Sequence, residues 1–453
     1  MSSATLASFA SQLQYKQIPE EVKEFTVDLF VDWLGSALAG SNARPVKILD
    51  NLASSMGPST GGAQIMGSRR MTSAYFAALV NAAASHVVEQ DDLHNQSILH
   101  PATIVFPTIL ALAQAGEDKA YSGEDFITAA VAGYECGIRT GEYLGGSHYR
   151  VFHMTATAGT IGSAMAAANL LRLNDEQALN ALGSAGTQAG GLWQFLDDAA
   201  DSKQLHTAKA CADGLLAALV ARDGFTGAKK ILEGSKGMAA GMLGEGDEAK
   251  ITAGLGQRWA TLETSFKFHS CCRHTHPAAD AMLKIRDNPK FDYAQVKSVE
   301  ARVYQAASDV LGQVNIPSSI HQSKFSMGFV LALIARYGSA GVSDFTEEAI
   351  VDSQNLDFLR KVEMVVDPDI EDLHPQKWTS KVIVTLNNGD TISEWVETPK
   401  GDPGNALSRA ELDKKFRFLV QHFDAAGEDE VNHILDQAWD LKDQSSMTSF
   451  LVL

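Results

Sequence analysis

Cysteine is scarce here: Cys136, Cys211, Cys271 and Cys272 are all that 453 residues contain. That count gives no disulfide framework and fits a reducing setting. Aromatic residues reach only 8%, which with abundant alanine and glycine favours closely packed helices over a sheet sandwich. Cations are outnumbered, 37 Lys and Arg against 55 Asp and Glu, for a net charge of −18. Such a balance argues against a nucleic-acid surface, so no nucleic-acid partner is expected. If the ligand is an anion, a local cationic pocket must hold it against the global field. No window holds about eighteen uninterrupted apolar residues, so no membrane span is expected. The first residues lack a basic stretch followed by an apolar one, so no signal peptide is expected and the cytoplasm is the default.

What is present is a globular composition, 45% apolar and 20% charged, in a chain too long for one ordinary core. Residues 1–266 read as almost wholly helical. In "EEVKEFTVDLFVDWLGSALAG", Val22, Phe25, Leu29, Trp33 and Leu34 recur near helical spacing and a glycine ends the segment. "SAYFAALVNAAASHVVE", "EDFITAAVAGYECGIRTGEYL", "TAGTIGSAMAAANLLRL" and "AKACADGLLAALVARDGF" continue the pattern, and Gly159, Gly162 and Ala166 would let helices approach closely. After about residue 285 the texture changes. "VKSVEARVY", "RKVEMVVD" and "SKVIVTLNNGDTISEWVE" are rich in β-branched residues, and Asn388-Gly389 signals a hairpin turn. "PKGDPGNALS" reads as a linker before a last helical stretch. The expected fold is mainly α: a large all-helical domain of residues 1–266 and 405–453, and a smaller α+β domain of residues 267–404.

Titratable groups crowd into "VEQDDLHNQSILHPATIV", which holds Glu89, Asp91, Asp92, His94 and His100 just before an apolar helix. His100 falls where an N-cap belongs, with Pro101 at the first helical position. Free N–H groups and the helix dipole favour an anion at such a terminus. The arrangement recurs. His153 precedes a second small-residue helix, Lys203 and His206 a third, and His276-Pro277 a fourth, with Lys267, Arg273 and His274 just upstream. One histidine at a helix start is ordinarily a cap or a surface residue. Four such starts, three with a cation nearby, point to a pocket for a small polycarboxylate if they converge, with Glu89, Asp92 or a neutral histidine as base.

The run "CCRHTH" offers zinc-type ligands, but adjacent cysteines cannot readily face one ion and no second Cys/His pair has ligand spacing. No metal is expected. Cys272 beside His274 and His276 could form a nucleophile–base pair, although nothing local explains its activation. "GEYLGG", "GTIG" and "LGEGDE" lack both the GxxxxGK[ST] pattern and a preceding strand, so they are poor phosphate loops.

Taken in order, "AALVNAAASHVVEQDD", "HPATIVFPTILALA", "FHMTATAGTIGSAMAAA", "SKQLHTAKACADGLLAALVARDGFTG", "SFKFHSCCRHTHPAADA", "SKFSMGFVLA" and "GDPGNALSRAELDKKF" resemble the MmgE/PrpD family along nearly the whole chain. That family includes 2-methylcitrate dehydratase, cis-aconitate decarboxylase and iminodisuccinate epimerase. The resemblance implies a large helical domain with a smaller α+β domain, a homodimer, no metal or organic cofactor, and a small polycarboxylate substrate. It implies chemistry at a carbon beside a carboxylate, as a lyase (dehydratase-like) or an isomerase (epimerase-like), with decarboxylation as the alternative and a non-catalytic carboxylate binder as another. It assigns His100, His153, Lys203 and Lys267 to substrate contact or proton transfer. Glu89, Asp92, His206, Cys272 and His276 would then bind substrate. Departures are visible too. Glu89 stands where many relatives have aspartate, Leu93 where threonine usually follows the acidic pair, and Cys272 where the decarboxylase has histidine. Asp92 and His100 are one residue further apart than in the decarboxylase pattern, and Tyr304 lies too early to match that enzyme's tyrosine.

Overall fold

A computed structural model describes residues 2–116, 120–198, 200–312, 314–448 and 450–453. The chain forms two compact units, Met1–Thr264 with Ser408–Leu453, and Ser265–Leu407.

The first unit is built from helices. Those that matter for the site are α1 (Glu20–Gly40), α2 (Ala74–Val87), α3 (Ala102–Ala115), α4 (Gly123–Tyr149), α5 (Met154–Leu170) and α6 (Ser202–Arg222). In α5, "MTATAGTIGSAMAAANL", every residue is buried, as expected of a helix that is apolar or small all round and runs through a core. It packs against α4 and α6, and α6 packs in turn against α2. A Cβ added at Gly133 would lie 2.7 Å from the Ala166 Cβ and 3.0 Å from the Gly162 carbonyl oxygen. Glycine is therefore required where α4 and α5 cross. Larger residues fill the region beyond. Phe30 and Trp33 of α1 pack against Phe106 of α3 at ring-centroid distances of 5.2 and 5.7 Å, and Phe30 meets Phe126 of α4 at 5.2 Å.

The first 266 residues are less uniformly helical than expected. A short hairpin, β1 (Ala63–Ile65) with β2 (Arg70–Thr72), precedes α2. From Asp223 to Thr264 the chain runs mostly in turns, with short helices at Met238–Gly241, Glu248–Thr252 and Ala260–Glu263. Glycine recurs through that stretch and weakens helix. Its order comes from side chains instead. Arg139, buried in α4, donates to the carbonyls of Ile251, Ala253 and Arg258 at 3.3, 2.9 and 3.0 Å. Glu135, one turn away, accepts from the Thr261 N–H and hydroxyl at 2.8 and 2.9 Å.

The second unit holds a four-stranded sheet made of β3 (Val296–Val303), β4 (Val362–Val366), β5 (Ser380–Leu386) and β6 (Thr391–Val396). The spatial order is β4-β3-β5-β6, with β3 and β4 parallel and the other pairs antiparallel. Along β5, Ser380, Val382, Val384 and Leu386 are buried while Lys381, Ile383 and Thr385 are partly exposed, the period of two of a half-covered sheet. The β5–β6 turn contains Asn388-Gly389, with Gly389 at φ 93°. Helix α7 (His276–Arg286) packs on β5 and β6 and on α8 (Met327–Tyr337). The segment "PKGDPGNALS" is no loose linker. Gly401 accepts from the Phe266 N–H at 2.9 Å, and Asp402 accepts from the Ser265 hydroxyl at 2.6 Å and pairs with Arg273. The two ends of this unit are thereby clipped together.

Among the described residues, no helix is long and apolar enough to cross a membrane.

Candidate active site

Between α2 and α3 the chain makes a polar loop that is nonetheless buried from Gln90 to Asn95. Buried polar groups need partners, and those partners give the loop its shape. Glu89 opens it with a left-handed backbone, φ 59°, which turns the chain sharply off the end of α2. Asp92 closes it. One carboxylate oxygen accepts from the Ala102 N–H at 3.0 Å and the other from the Tyr134 hydroxyl at 2.8 Å. Burial pushes the Asp92 carboxyl well above its usual range, against those two donors. Tyr134 is likewise raised, by burial first and then by Asp92.

This capping alters the expectation for α3. The helix begins at Ala102, one residue later than expected, with Pro101 as its N-cap. Its first N–H is already taken by Asp92. Asp92 therefore acts as a tether between α3 and α4, with both oxygens engaged inside the protein.

Asp91 faces the other way. Its Oδ2 lies 2.7 Å from His86 Nδ1 and 2.8 Å from His100 Nδ1. His100 Nδ1 also lies 2.6 Å from the Asp92 carbonyl oxygen. The His86 ring stands edge-on to His100, centroids 4.8 Å apart, and parallel to His153 at 5.7 Å. His153 caps the start of α5, held by its N–H to the Gly191 carbonyl at 2.9 Å. Trp193 packs on its ring at 4.6 Å, and His206 Nδ1 approaches its Nδ1 to 3.4 Å. Lys203 forms a buried ion pair with Glu89. Lys203 and His206 lie inside the first turns of α6, which starts at Ser202, rather than ahead of it. The structure thus gathers Glu89, His100, His153 and Lys203, all buried, with His206, which is half-buried, in one cluster. It adds His86 and Trp193, which the sequence reading did not single out, and Asp91, to which that reading gave no role.

The electrostatics favour neutral imidazoles. Burial, followed by Lys203, lowers His86 to about 4. Burial, with His86 and His206 next, holds His153 well below its ordinary value. His206 falls to about 4 through burial alone. At neutral pH these rings can accept a proton.

The remaining expected residues lie in the second unit, in a cluster of their own. Lys267, Arg273 and Lys324 are all buried there, as are Cys272 and His276. His276 opens α7 and points Nε2 at the Cys271 carbonyl, 3.4 Å away. Burial, then Arg273 and other neighbouring cations, keeps it well below its usual range. His274 directs Nδ1 to the Tyr304 hydroxyl at 2.8 Å and stacks on Trp378 at 4.6 Å. That occupies Tyr304 as a partner of His274. Cys271 pairs with the Thr275 hydroxyl at 2.9 Å, and burial pushes its thiol up to about 12.

Among the described residues, two groups have ligand atoms close enough to surround a cation: His86, Asp91 and His100, and His94, Glu142 and Glu263. In the first, ring N–H groups already face the Asp91 oxygen. In the second, Arg258 bridges Glu142 and Glu263 at 2.6 and 2.5 Å and supplies the positive charge itself. The cysteine–histidine run contributes to neither group.

The MmgE/PrpD N-terminal domain matches residues 4–250 and the MmgE/PrpD C-terminal domain matches residues 269–441. The chain belongs to the MmgE/PrpD family. Similar proteins include the cis-aconitate decarboxylase-like protein oryM of Aspergillus oryzae, 26% identical over 442 residues, 92% of this chain and 90% of that protein. A cis-aconitate decarboxylase of Aspergillus terreus is 27% identical over 416 residues, 87% of this chain and 84% of that protein. The human cis-aconitate decarboxylase is 28% identical over 349 residues, 76% and 72% of the respective chains. These likenesses support an enzyme of the MmgE/PrpD family. Within it, Glu89 reaches Lys203 from the turn after α2, where aspartate would be one methylene shorter.

Proposed function

We propose that this MmgE/PrpD chain is a cofactor-independent lyase or isomerase that removes a proton from the carbon beside a carboxylate of a small di- or tricarboxylate. The observation that carries the reading is the cluster of imidazoles, buried His100 and His153 with half-buried His206, around the Lys203–Glu89 pair, with burial holding His153 and His206 neutral. Proton abstraction beside a carboxylate builds negative charge on its oxygens, so it needs a cation to receive that charge and a base held neutral. Lys203 supplies the cation, and an incoming carboxylate competes with Glu89 for it. His100 and His153 are the candidate bases. On the family resemblance, Lys267, Cys272 and His276, buried within the second unit, remain candidates for binding a carboxylate.

From the enolate-like species, loss of a β-hydroxide gives a dehydratase and return of the proton to the opposite face gives an epimerase. We favour a 2-methylcitrate dehydratase-like or an epimerase-like outcome. The second reading is cis-aconitate decarboxylation, favoured by the names of the relatives. Against it stand Cys272 in place of a histidine and the lack of a matching tyrosine, Tyr304 lying too early in the chain.

The test is a proton NMR screen of di- and tricarboxylates in deuterated water, including 2-methylcitrate and cis-aconitate. Dehydration or α-proton exchange supports the first reading and carbon dioxide release from cis-aconitate the second. His153→Ala should abolish exchange; undiminished exchange removes His153 as the base. Binding without any turnover would leave a carboxylate-binding protein.

A further inference from the structure

We infer that Asp91, clamped by His86, is a positioning residue that fixes the tautomer and direction of His100 and stabilises its protonated form. The inference rests on the reading of His100 as a base. His100 Nδ1 lies 2.6 Å from a backbone carbonyl oxygen and 2.8 Å from the Asp91 carboxylate. Neither oxygen can donate, so Nδ1 must carry the ring proton. The basic lone pair is then confined to Nε2. This is the role an aspartate plays beside a catalytic histidine in hydrolytic triads.

The carbonyl alone would select the tautomer. What Asp91 adds is charge. When Nε2 takes a proton from the substrate carbon, the C–H bonding pair passes into the enolate and His100 becomes an imidazolium. Its Nδ1 proton stays in place, facing a full negative charge, and returns nothing to Asp91. The Nε2 proton leaves with the product or with the departing hydroxide as water.

His86 explains why Asp91 stays aimed at His100. Both Asp91 and His86 are fully buried, and His86 donates to the same carboxylate oxygen at 2.7 Å. The His86 ring is wedged between His100 and His153 and cannot swing away. Because burial and Lys203 keep His86 neutral, it satisfies Asp91 with a dipole and leaves the carboxylate charge for His100. Among the described residues, the charged or titratable groups around this unit include Asp91 and Asp92 from the loop, His86 from α2, Tyr134 from α4, His153 from α5, Lys203 with its partner Glu89, and Asp32 of α1 with its partner Lys415.

The experiment uses the full-length protein and Asp91→Asn, His86→Phe and His86→Gln. Phenylalanine fills the ring space without a donor, whereas glutamine restores an N–H. In wild type, nitrogen-15 NMR of labelled histidines should show His100 protonated at Nδ1, and the His100 titration midpoint should fall by about one pH unit or more in Asp91→Asn. With whichever acid the screen shows is converted, Asp91→Asn should lose about 100-fold in kcat with KM within about threefold. The acid limb of its pH profile should shift to lower pH. His86→Phe should lose activity and His86→Gln should recover most of it. A wild-type His100 protonated at Nε2, or an unshifted midpoint in Asp91→Asn, overturns the inference. So does His86→Gln behaving like His86→Phe. If no acid is converted, the reading of the reaction fails while the NMR titration still decides the role of Asp91. If Asp91→Asn does not fold, the wild-type tautomer and the His86 pair decide it.

Discussion

Lys203 and Glu89 are in direct contact, and only 4% and 2% of their respective surfaces reach solvent. Each charge is tolerable because the other is there. Replacing Lys203 by methionine keeps the bulk and removes the cation, stranding a buried carboxylate on a left-handed turn. Urea unfolding should show a loss of about 3–5 kcal/mol. The double variant Lys203→Met with Glu89→Gln should regain much of that stability and none of the activity, which separates the structural use of the pair from its chemical one.

Stability should fall on acidification between about pH 6.5 and 4. His86 sits at about 4 and His274 at about 3 in the folded protein, both fully buried, against 6.5 for a free imidazole. The unfolded chain binds protons at these positions first as pH drops, so protonation favours unfolding. Their contribution is fully present above pH 6.5 and declines as pH falls toward the folded values, by about 1.4 kcal/mol per pH unit for each histidine while it titrates. Urea midpoints measured at pH 7, 6 and 5 check the slope, and His274→Phe should reduce it.

Tyr134→Phe removes the hydroxyl that Asp92 accepts at 2.8 Å. The oxygen left without its donor should cost about 1–3 kcal/mol in thermal or urea unfolding. Because Asp92 faces α3 and α4, turnover by the fraction that remains folded should stay near wild type. A large fall in kcat with unchanged stability would place Asp92 against the substrate after all.

Gly133→Val puts a branched side chain where even a Cβ meets Ala166 at 2.7 Å. Overpacking of this kind costs about 1–3 kcal/mol or more. It should also lower activity, since His153 is the N-cap of α5. Gly389→Ala is the contrast. Nothing lies near that position, yet φ is 93°, so the variant should lose about 1 kcal/mol and keep its turnover.

Much of this architecture is legible in the residues themselves. Small-residue runs announce α4, α5 and α6, and Asn388-Gly389 announces the β5–β6 hairpin. The glycine-rich stretch after Arg222 is harder to read, because Arg139 and Glu135 organise it from more than a hundred positions away in sequence. At the site, His100, His153 and Lys203 stand out because they interrupt helix starts. His86 does not. It lies within "AAASHVV", where a lone histidine reads as a satisfied core residue, and its partner Asp91 is reached only after the chain reverses at Glu89. The one local sign was an imidazole in the last turn of an apolar helix immediately ahead of an acidic pair. Asp92 is the opposite case. Its place in a conspicuous acidic pair suggested a ligand, and only the fold reveals it as a bracket between two helices.

The clasp formed by Ser265, Phe266 and Arg273 with Gly401 and Asp402 has a consequence for how such a chain can be re-engineered. The first and last stretches of residues 265–407 meet, so this portion is a closed loop of polypeptide whose termini are neighbours. Joining them by a short bridge and opening the ring at the exposed Asn388 turn would give a permuted piece with every strand still in its place. Severing the clasp at Asp402 would instead release both strands of entry and exit together.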